Sequence, residues 1–192
     1  TCARVHVTVR SRDGSSATGW GETPLNVQWA WPGSQSYTSR RERMIDFCRD
    51  VAAAWVDFGA TGHPLEIGSD FLTQQLPHLI ESANNAAPDQ EAIPYLAAIV
   101  CCSAFDLALH DAFGVLHEQD IYDLYGPQHL TRDLAAFLEP AGDAHEVSFA
   151  DLWPSEFLAP NGRAVNVSLP AWHLVGGLDP LTDEDRTGQE PD

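Results

Sequence analysis

The chain contains no lysine. All ten of its bases are arginine, set against 28 acids in 192 residues, and the formal net charge is −18. Binding a phosphate backbone needs clustered Lys and Arg, so this balance argues against nucleic acid as a partner. It argues equally against an anionic membrane surface. The deficit is uneven: residues 1–100 hold 11 acids and 7 arginines, residues 101–192 hold 17 and 3. An acidic or salt-adapted proteome accounts for this more simply than one specific cationic partner does. Cysteine is scarce, with Cys2, Cys48, Cys101 and Cys102 in no disulfide-framework spacing. They read as small apolar residues, which favours a reducing, cytoplasmic setting. Signal, transit and anchor segments are not visible, although the chain opens on Thr1-Cys2-Ala3 without Met. The longest apolar run, residues 94–114, carries Asp106, His110 and Asp111 and reads as too short and too interrupted for a membrane span. His6, His63, His78, His117, His129 and His145 show no ligand spacing, so no metal site is assigned.

What is present begins with alternation. Residues 3–10 place Val5, Val7 and Val9 on one face and Arg4, His6, Thr8 and Arg10 on the other, a half-buried strand. Asp13-Gly14 supplies a tight turn, and residues 17–23 return as a second strand with Gly19 and Gly21 around Trp20. Two glycines in a strand point to a bulge or a close backbone approach. A two-stranded hairpin is marginal alone, so it needs either an upstream partner strand or helices to pack on. Residues 24–38 form a loop with Trp29 and Trp31.

Ser39-Arg40-Arg41-Glu42 has the form of a capping box and opens a helix to about residue 58. Its inward stripe is Met44, Phe47, Cys48, Val51, Ala52 and Trp55, while Arg40, Arg41, Arg43 and Arg49 read as a solvated or acid-pairing face. A loop over residues 59–68 precedes a helix from Ser69 or Asp70, with Phe71, Leu72, Leu76, Leu79 and Ile80 inward and a kink at Pro77. Residues 83–93 are a polar connector. The run at 94–114 is the central buried helix, with Pro94 in its first turn and Gly114 just past its end. Residues 121–126 give one short turn closed by Gly126. Residues 127–163 are irregular, with one helical turn expected near 148–152. Residues 164–177 read as a strand, and 179–192 as an acidic, solvated tail.

Three stretches carry a resemblance. Gly19-Trp20-Gly21-Glu22 is similar to a G-x-G-E strand. Residues 103–114, SAFDLALHDAFG, are similar to a small-small-aliphatic-Asp-x-Ala-Leu-x-Asp-x-x-Gly helix signature. Ile121-Tyr122-Asp123-Leu124-Tyr125-Gly126 is similar to the stretch that follows it. Together they resemble the N-terminal capping domain of the enolase superfamily, in its mandelate racemase/muconate-lactonizing branch. Phe105 and Val115 depart from that pattern, standing where an aliphatic residue and a base are usual.

The resemblance implies an α+β fold. A β-hairpin or meander is followed by a helical bundle as a capping domain over residues 1–126. An irregular connector occupies 127–163, and 164–192 hold only the first strand of a truncated (β/α)8 barrel. A whole barrel of that kind needs about 250 residues, far more than follow Gly126. The resemblance also implies that the full-length enzyme uses Mg2+ to stabilise the enolate formed when a barrel Lys or His removes the α-proton of a small carboxylate substrate. That would make it a racemase, epimerase, dehydratase or cycloisomerase, and a homo-oligomer. A chain without lysine cannot carry the family's Lys-x-Lys base motif. The expectation for this chain alone is therefore a catalytically incomplete fragment that binds no Mg2+.

By the same resemblance, the loop with Asn26, Gln28, Trp29 and Trp31 is a cap loop that closes over the barrel mouth and contacts substrate. The second such loop would lie before Thr1. Gly21, Glu22, Asp106, His110, Asp111 and Gly114 are structural signature residues, with the Asp106–Asp111 end set against the barrel. Glu22 is expected to satisfy an arginine or backbone donors. His173 reads as a satisfied core or rim histidine, and Asn166-Val167-Ser168 is a formal glycosylation triplet without a secretory context. The competing expectation is a complete, non-catalytic helical binding module whose acidic C-terminal third is an interaction surface.

Overall fold

The computed structural model describes residues 1–141 and 148–158. The expected strand at 164–177, His145, His173, the Asn166 triplet, the barrel start and the acidic tail lie outside the described residues. Within them the chain is mixed α and β: an antiparallel hairpin, then helices. Strand β1 (Cys2–Arg10) pairs with β2 (Ser16–Pro24) in an unbroken register that sets Val5 against Gly21, His6 against Trp20 and Val7 against Gly19. The turn between them uses Gly14 at φ +92°, a conformation glycine adopts without strain. The inward faces of β1 and β2 lie on one helix, α5 (Tyr95–His117).

Helix α5 is longer than the 94–114 run suggests. Pro94 caps it in an extended conformation, and the helix continues through Gly114 to His117. It stops because Glu118 turns left-handed at φ +53°, with the Gln119 N–H returning to the Gly114 carbonyl at 3.2 Å. Gly114 therefore sits inside the last turn. Its missing Cβ makes room for the Gln119 carbonyl, which an added Cβ would meet at 3.1 Å. At 23 residues α5 is, by length and composition, long and apolar enough to cross a membrane. Here Ala97, Ala98, Cys101, Ala104, Ala108 and Ala112 are instead buried against the hairpin and the other helices. The larger side chains Leu96, Leu107 and Val115, which periodicity alone cannot rank, are exposed.

Helix α1 (Val27–Ala30) is a single turn within the aromatic loop. Helix α2 (Tyr37–Asp57) starts before the expected capping box, because the Ser36 hydroxyl already takes the Ser39 N–H at 3.1 Å. Its expected stripe is inward: Met44, Phe47 and Val51 are buried, and Trp55 stacks on Phe71 with ring centroids 4.2 Å apart.

The expected loop at 59–68 is corrected from residue 64 onward. Helix α3 (Pro64–Gln74) starts there, with Pro64 at the position where no N–H is needed. His63 Nδ1 accepts the Leu65 N–H, and the Glu66 carboxylate returns to the His63 N–H, closing a capping box. Pro77 divides the helix rather than kinking it. Helix α4 (Leu76–Asn85) is separate from α3, since a proline has no N–H to continue the ladder.

Past α5, a 3-10 turn at Ile121–Leu124 matches the expected short turn. The expected helical turn near 148–152 is a simple turn. Helix α6 (Pro154–Leu158) forms just after it. The described residues of the irregular segment are nevertheless tied down: Leu134 N–H donates to the Leu152 carbonyl at 2.9 Å, and Ser155 N–H to the Tyr125 carbonyl at 3.1 Å.

Candidate functional site

The aromatic cap loop and the signature helix were the two candidate regions, and the structure separates their residues by role. In the loop, Asn26 spends its side chain on the N-terminus of α1, with Oδ1 accepting the Trp29 N–H at 3.2 Å. Gln28 and Trp29 face solvent, Trp29 with 63% of its surface exposed. Trp31 is corrected: it is 1% exposed, a core residue with no surface to offer a substrate. Its carbonyl accepts from the buried Arg40 Nη1, and the Arg43 guanidinium lies 5.2 Å from its ring centroid.

The arginine face of α2 is corrected with it. Arg43 donates to the Glu91 and Ala83 carbonyls and to Asn84 Oδ1. Of the four arginines, Arg49 alone pairs with an acid, Asp46, among the described residues. The polar connector thus closes onto the loop: Glu91 Oε2 takes the Ser34 and Gln35 N–H groups, and Asn84 Oδ1 takes the Ile93 N–H at 2.8 Å. Sequence reasoning missed this clamp because the carbonyls it uses belong to no motif.

The signature residues come together where the hairpin, α5 and α3 meet. Gly19 and Gly21 of β2 lie directly on α5. A Cβ added to Gly19 would sit 2.7 Å from Ala112 Cα, and one added to Gly21 would sit 2.7 Å from Ala108 N. No real side chain fits there, so β2 and α5 meet backbone to backbone. Asp111 Oδ2 fixes the contact by accepting the Trp20 N–H at 2.8 Å, and Ser103 Oγ reaches Thr23 Oγ1 at 2.8 Å. Glu22 pairs with Arg4 across the hairpin at 2.7 Å, the arginine it was expected to find. Asp106 lies over Gly68 of α3, where a Cβ would be 2.7 Å from its Oδ1. His110 Nδ1 sits 2.9 Å from the Asp106 carbonyl oxygen. Burial raises the Asp106 carboxyl above the ordinary range, with nearby His110 opposing this. The Asp106–Asp111 end of α5 thus holds the hairpin and α3.

A second cluster was not expected at all. His63 is fully buried, between Phe113 and Tyr125 with ring centroids 5.0 Å from each, and His110 stacks on Tyr125 at 6.0 Å. Burial, reinforced by the neighbouring His110, lowers His63 to about 4, so it is neutral at ordinary pH. Its Nδ1 accepts, which leaves the proton on Nε2, and that nitrogen has no hydrogen-bond partner among the described residues. Beside it Glu66 is 4% exposed, and its Oε1 takes the Thr131 N–H, the Thr131 hydroxyl and the Arg132 N–H at 2.7–2.8 Å. Burial alone would raise that carboxyl, but these donors outweigh it and hold it low. Arg132 then pairs with Asp70 through both terminal nitrogens, at 2.7 and 3.0 Å. The histidine in a capping-box position before Pro64 was the available signal.

The four cysteines are free. Burial pushes the Cys102 thiol up to about 12, an unreactive state that suits a packing role. Among the described residues, no group of three or more His, Cys, Asp or Glu side chains could hold a metal ion. Comparison of the chain with protein-family models, with curated proteins and with solved structures found no match.

Proposed function

We propose that this chain is the capping portion of an enolase-type, Mg2+-dependent enzyme that removes the α-proton of a carboxylate substrate. One observation carries the reading. The two stretches that define the resemblance, Gly19-Trp20-Gly21-Glu22 and residues 103–114, are partners in a single seam, glycine backbone on alanine backbone with Asp111 as its clasp. Residues separated by more than eighty positions match one pattern and also fit one another. The exposed apolar residues Leu96 and Leu107 of α5 are consistent with a helix that has a further layer to meet.

In this reading Gln28 and Trp29 are the cap-loop residues left to face a substrate. Asn26 positions their turn, and Trp31 anchors the loop in the core. The described residues offer no cluster that fits Mg2+, and the sequence has no lysine, so no chemical step is derived within this chain. The competing reading, a binding module with an acidic C-terminal surface, rests on residues that lie mostly outside the described ones.

The test is the coding sequence that follows residue 192. A continuing frame with Lys-x-Lys and three Asp or Glu residues at successive strand ends is the expected result. A stop codon there would sink the proposal, as would tight, stoichiometric Mg2+ binding to this chain alone in isothermal titration.

A further inference from the structure

Residues 121–141 and 148–158 form a unit bonded mainly to itself. The Asp151 N–H donates to Asp133 Oδ2 at 2.7 Å, and the Leu134–Leu152 and Ser155–Tyr125 backbone bonds join its two parts. Among the described residues, no backbone–backbone hydrogen bond runs from this unit to residues 1–117. Its buried leucines, Leu124, Leu130 and Leu134, stand outside the main core cluster, whose last residue in sequence is Phe105. The chain enters the unit through Glu118, Gln119 and Asp120, three exposed residues that begin with the left-handed Glu118. A segment with its own bonds, its own small core and an exposed tether has the makings of a separate opening unit.

What holds this unit to the body is titratable. Among the described residues, every side-chain hydrogen bond between the two ends on a carboxylate of α3. Glu66 takes the Thr131 N–H, the Thr131 hydroxyl and the Arg132 N–H, and Asp70 takes the Arg132 guanidinium. Beside Glu66 the buried His63 ring lies between Phe113 of the body and Tyr125 of the unit. The charged and titratable groups around that ring come from three elements. Glu66 is on its own helix, His110 on α5, and Tyr125 and His129 in the unit. His129 in turn lies 5.0 Å from the His117 ring of α5, and Arg132 Nε lies 3.8 Å from Glu66.

The signs of these groups mostly agree. Burial, His110 and His129 all disfavour a proton on His63, and Glu66 alone of its neighbouring side chains favours one. Separation of the unit would take Tyr125 and His129 away and hydrate the ring, so protonation favours the separated state. His129 acts the same way, since burial and His117 lower it. Glu66 does too, because Thr131 and Arg132 of the unit help hold its carboxyl low. Asp106, raised by burial, runs the other way, but Gly68 and His110 beside it both belong to the body and stay with it.

We propose that residues 121–141 and 148–158 are an acid-opened flap, hinged at residues 118–120, that leaves α3 and α5 as one unit while the hairpin and helices α1–α5 stay folded. This goes beyond the capping function and does not depend on it.

The test is amide exchange on the full chain, each rate divided by the unstructured rate at the same pH. At pH 7 the amides of Leu130, Thr131, Arg132 and Leu134 are expected to open at least about tenfold more often than those of Phe47, Val51 and Cys101. Low urea is expected to leave the first set nearly unchanged and to speed the second steeply, because a local opening exposes little surface. From pH 7 to pH 5 the flap opening is expected to rise about twentyfold, the ratio for a ring that titrates near 4 when closed and near 6.5 when open. His63→Asn is expected to cut that rise to a few-fold. In the parent chain the His63 ring resonances are expected to titrate near 4. Equal opening and equal urea dependence of the two sets of amides would overturn the proposal. So would a flap opening that is the same at pH 7 and pH 5, a His63→Asn chain with the full rise, or a His63 ring that titrates near 6.5.

Discussion

At the scale of single residues, two positions have consequences out of proportion to their size. Gly21 has no space for even a methyl group, because an added Cβ would overlap the Ala104 carbonyl. Gly21→Ala must push β2 off α5, and a loss of about 3 kcal/mol or more is expected in urea unfolding. Gly14→Ala is the control: no atom lies within 4 Å of its Cβ position, and only its positive φ penalises the change, by about 1 kcal/mol.

His63 has the opposite problem, a group that must stay uncharged. Its folded value, about 4, lies below the unfolded histidine value near 6.5. Between those limits the unfolded chain binds the extra proton. Stability is therefore complete above pH 6.5 and falls as the pH drops toward 4, by roughly 3 kcal/mol from this residue. Glu66 adds to the same trend lower down, since its lowered carboxyl stabilises the fold above the ordinary carboxylate range and is lost below it. His63→Asn keeps a capping side chain but cannot titrate. Urea midpoints measured from pH 7 to pH 4 should then fall less steeply than in the parent chain, and an unchanged slope would remove His63 from the account.

At the scale of elements, what was legible in the sequence was the part encoded by neighbours in the chain. The alternation of β1, the Asp13-Gly14 turn, the α2 stripe and the existence of α5 all follow from local spacing. The start of α3 was missed because His63 is an unusual cap, though the Pro64 and Glu66 that follow it are ordinary signals. Which side of α5 faces solvent was not legible, because a helix that is apolar almost all round has no periodicity to rank its faces. There the small residues went inward, because a hairpin lies against them. For the candidate site, Gln28 and Trp29 kept a solvent-facing position while Trp31 did not. Nothing in the local sequence says that Arg40 reaches its carbonyl.

Glu66 shows how one side chain joins elements that are distant in sequence, the start of α3 and residues 131–132. Removing this buried carboxylate leaves four donors without their acceptor: the N–H groups of His63, Thr131 and Arg132 and the Thr131 hydroxyl. Glu66→Ala should cost about 3–5 kcal/mol, read as a drop in thermal midpoint, and Glu66→Gln distinctly less because its amide oxygen still accepts. Equal losses in the two variants would show that packing, not hydrogen bonding, is what Glu66 supplies.

At the scale of the molecule, charge dominates. With 28 acids and 10 arginines, compaction works against self-repulsion, and the few ion pairs among the described residues offset little of it. Screening should therefore stabilise the fold. Raising sodium chloride from about 0.02 to about 0.3 M shortens the screening length severalfold, and the melting temperature should climb by a few degrees. A flat or falling response would mean that the acids are already balanced in the folded state.

The seam between β2 and α5 also dictates a timetable. Gly19 and Gly21 meet Ala112 and Ala108, residues that leave the ribosome roughly ninety positions later. At about 5–20 residues per second, the hairpin waits roughly 5–20 s for the helix that holds it. During that interval Val5, Val7 and Val9 have no cover, and a two-stranded sheet cannot keep itself closed. The hairpin, translated ahead of α5, is thus among the last elements to settle, and nascent-chain proteolysis should cut it until α5 has emerged.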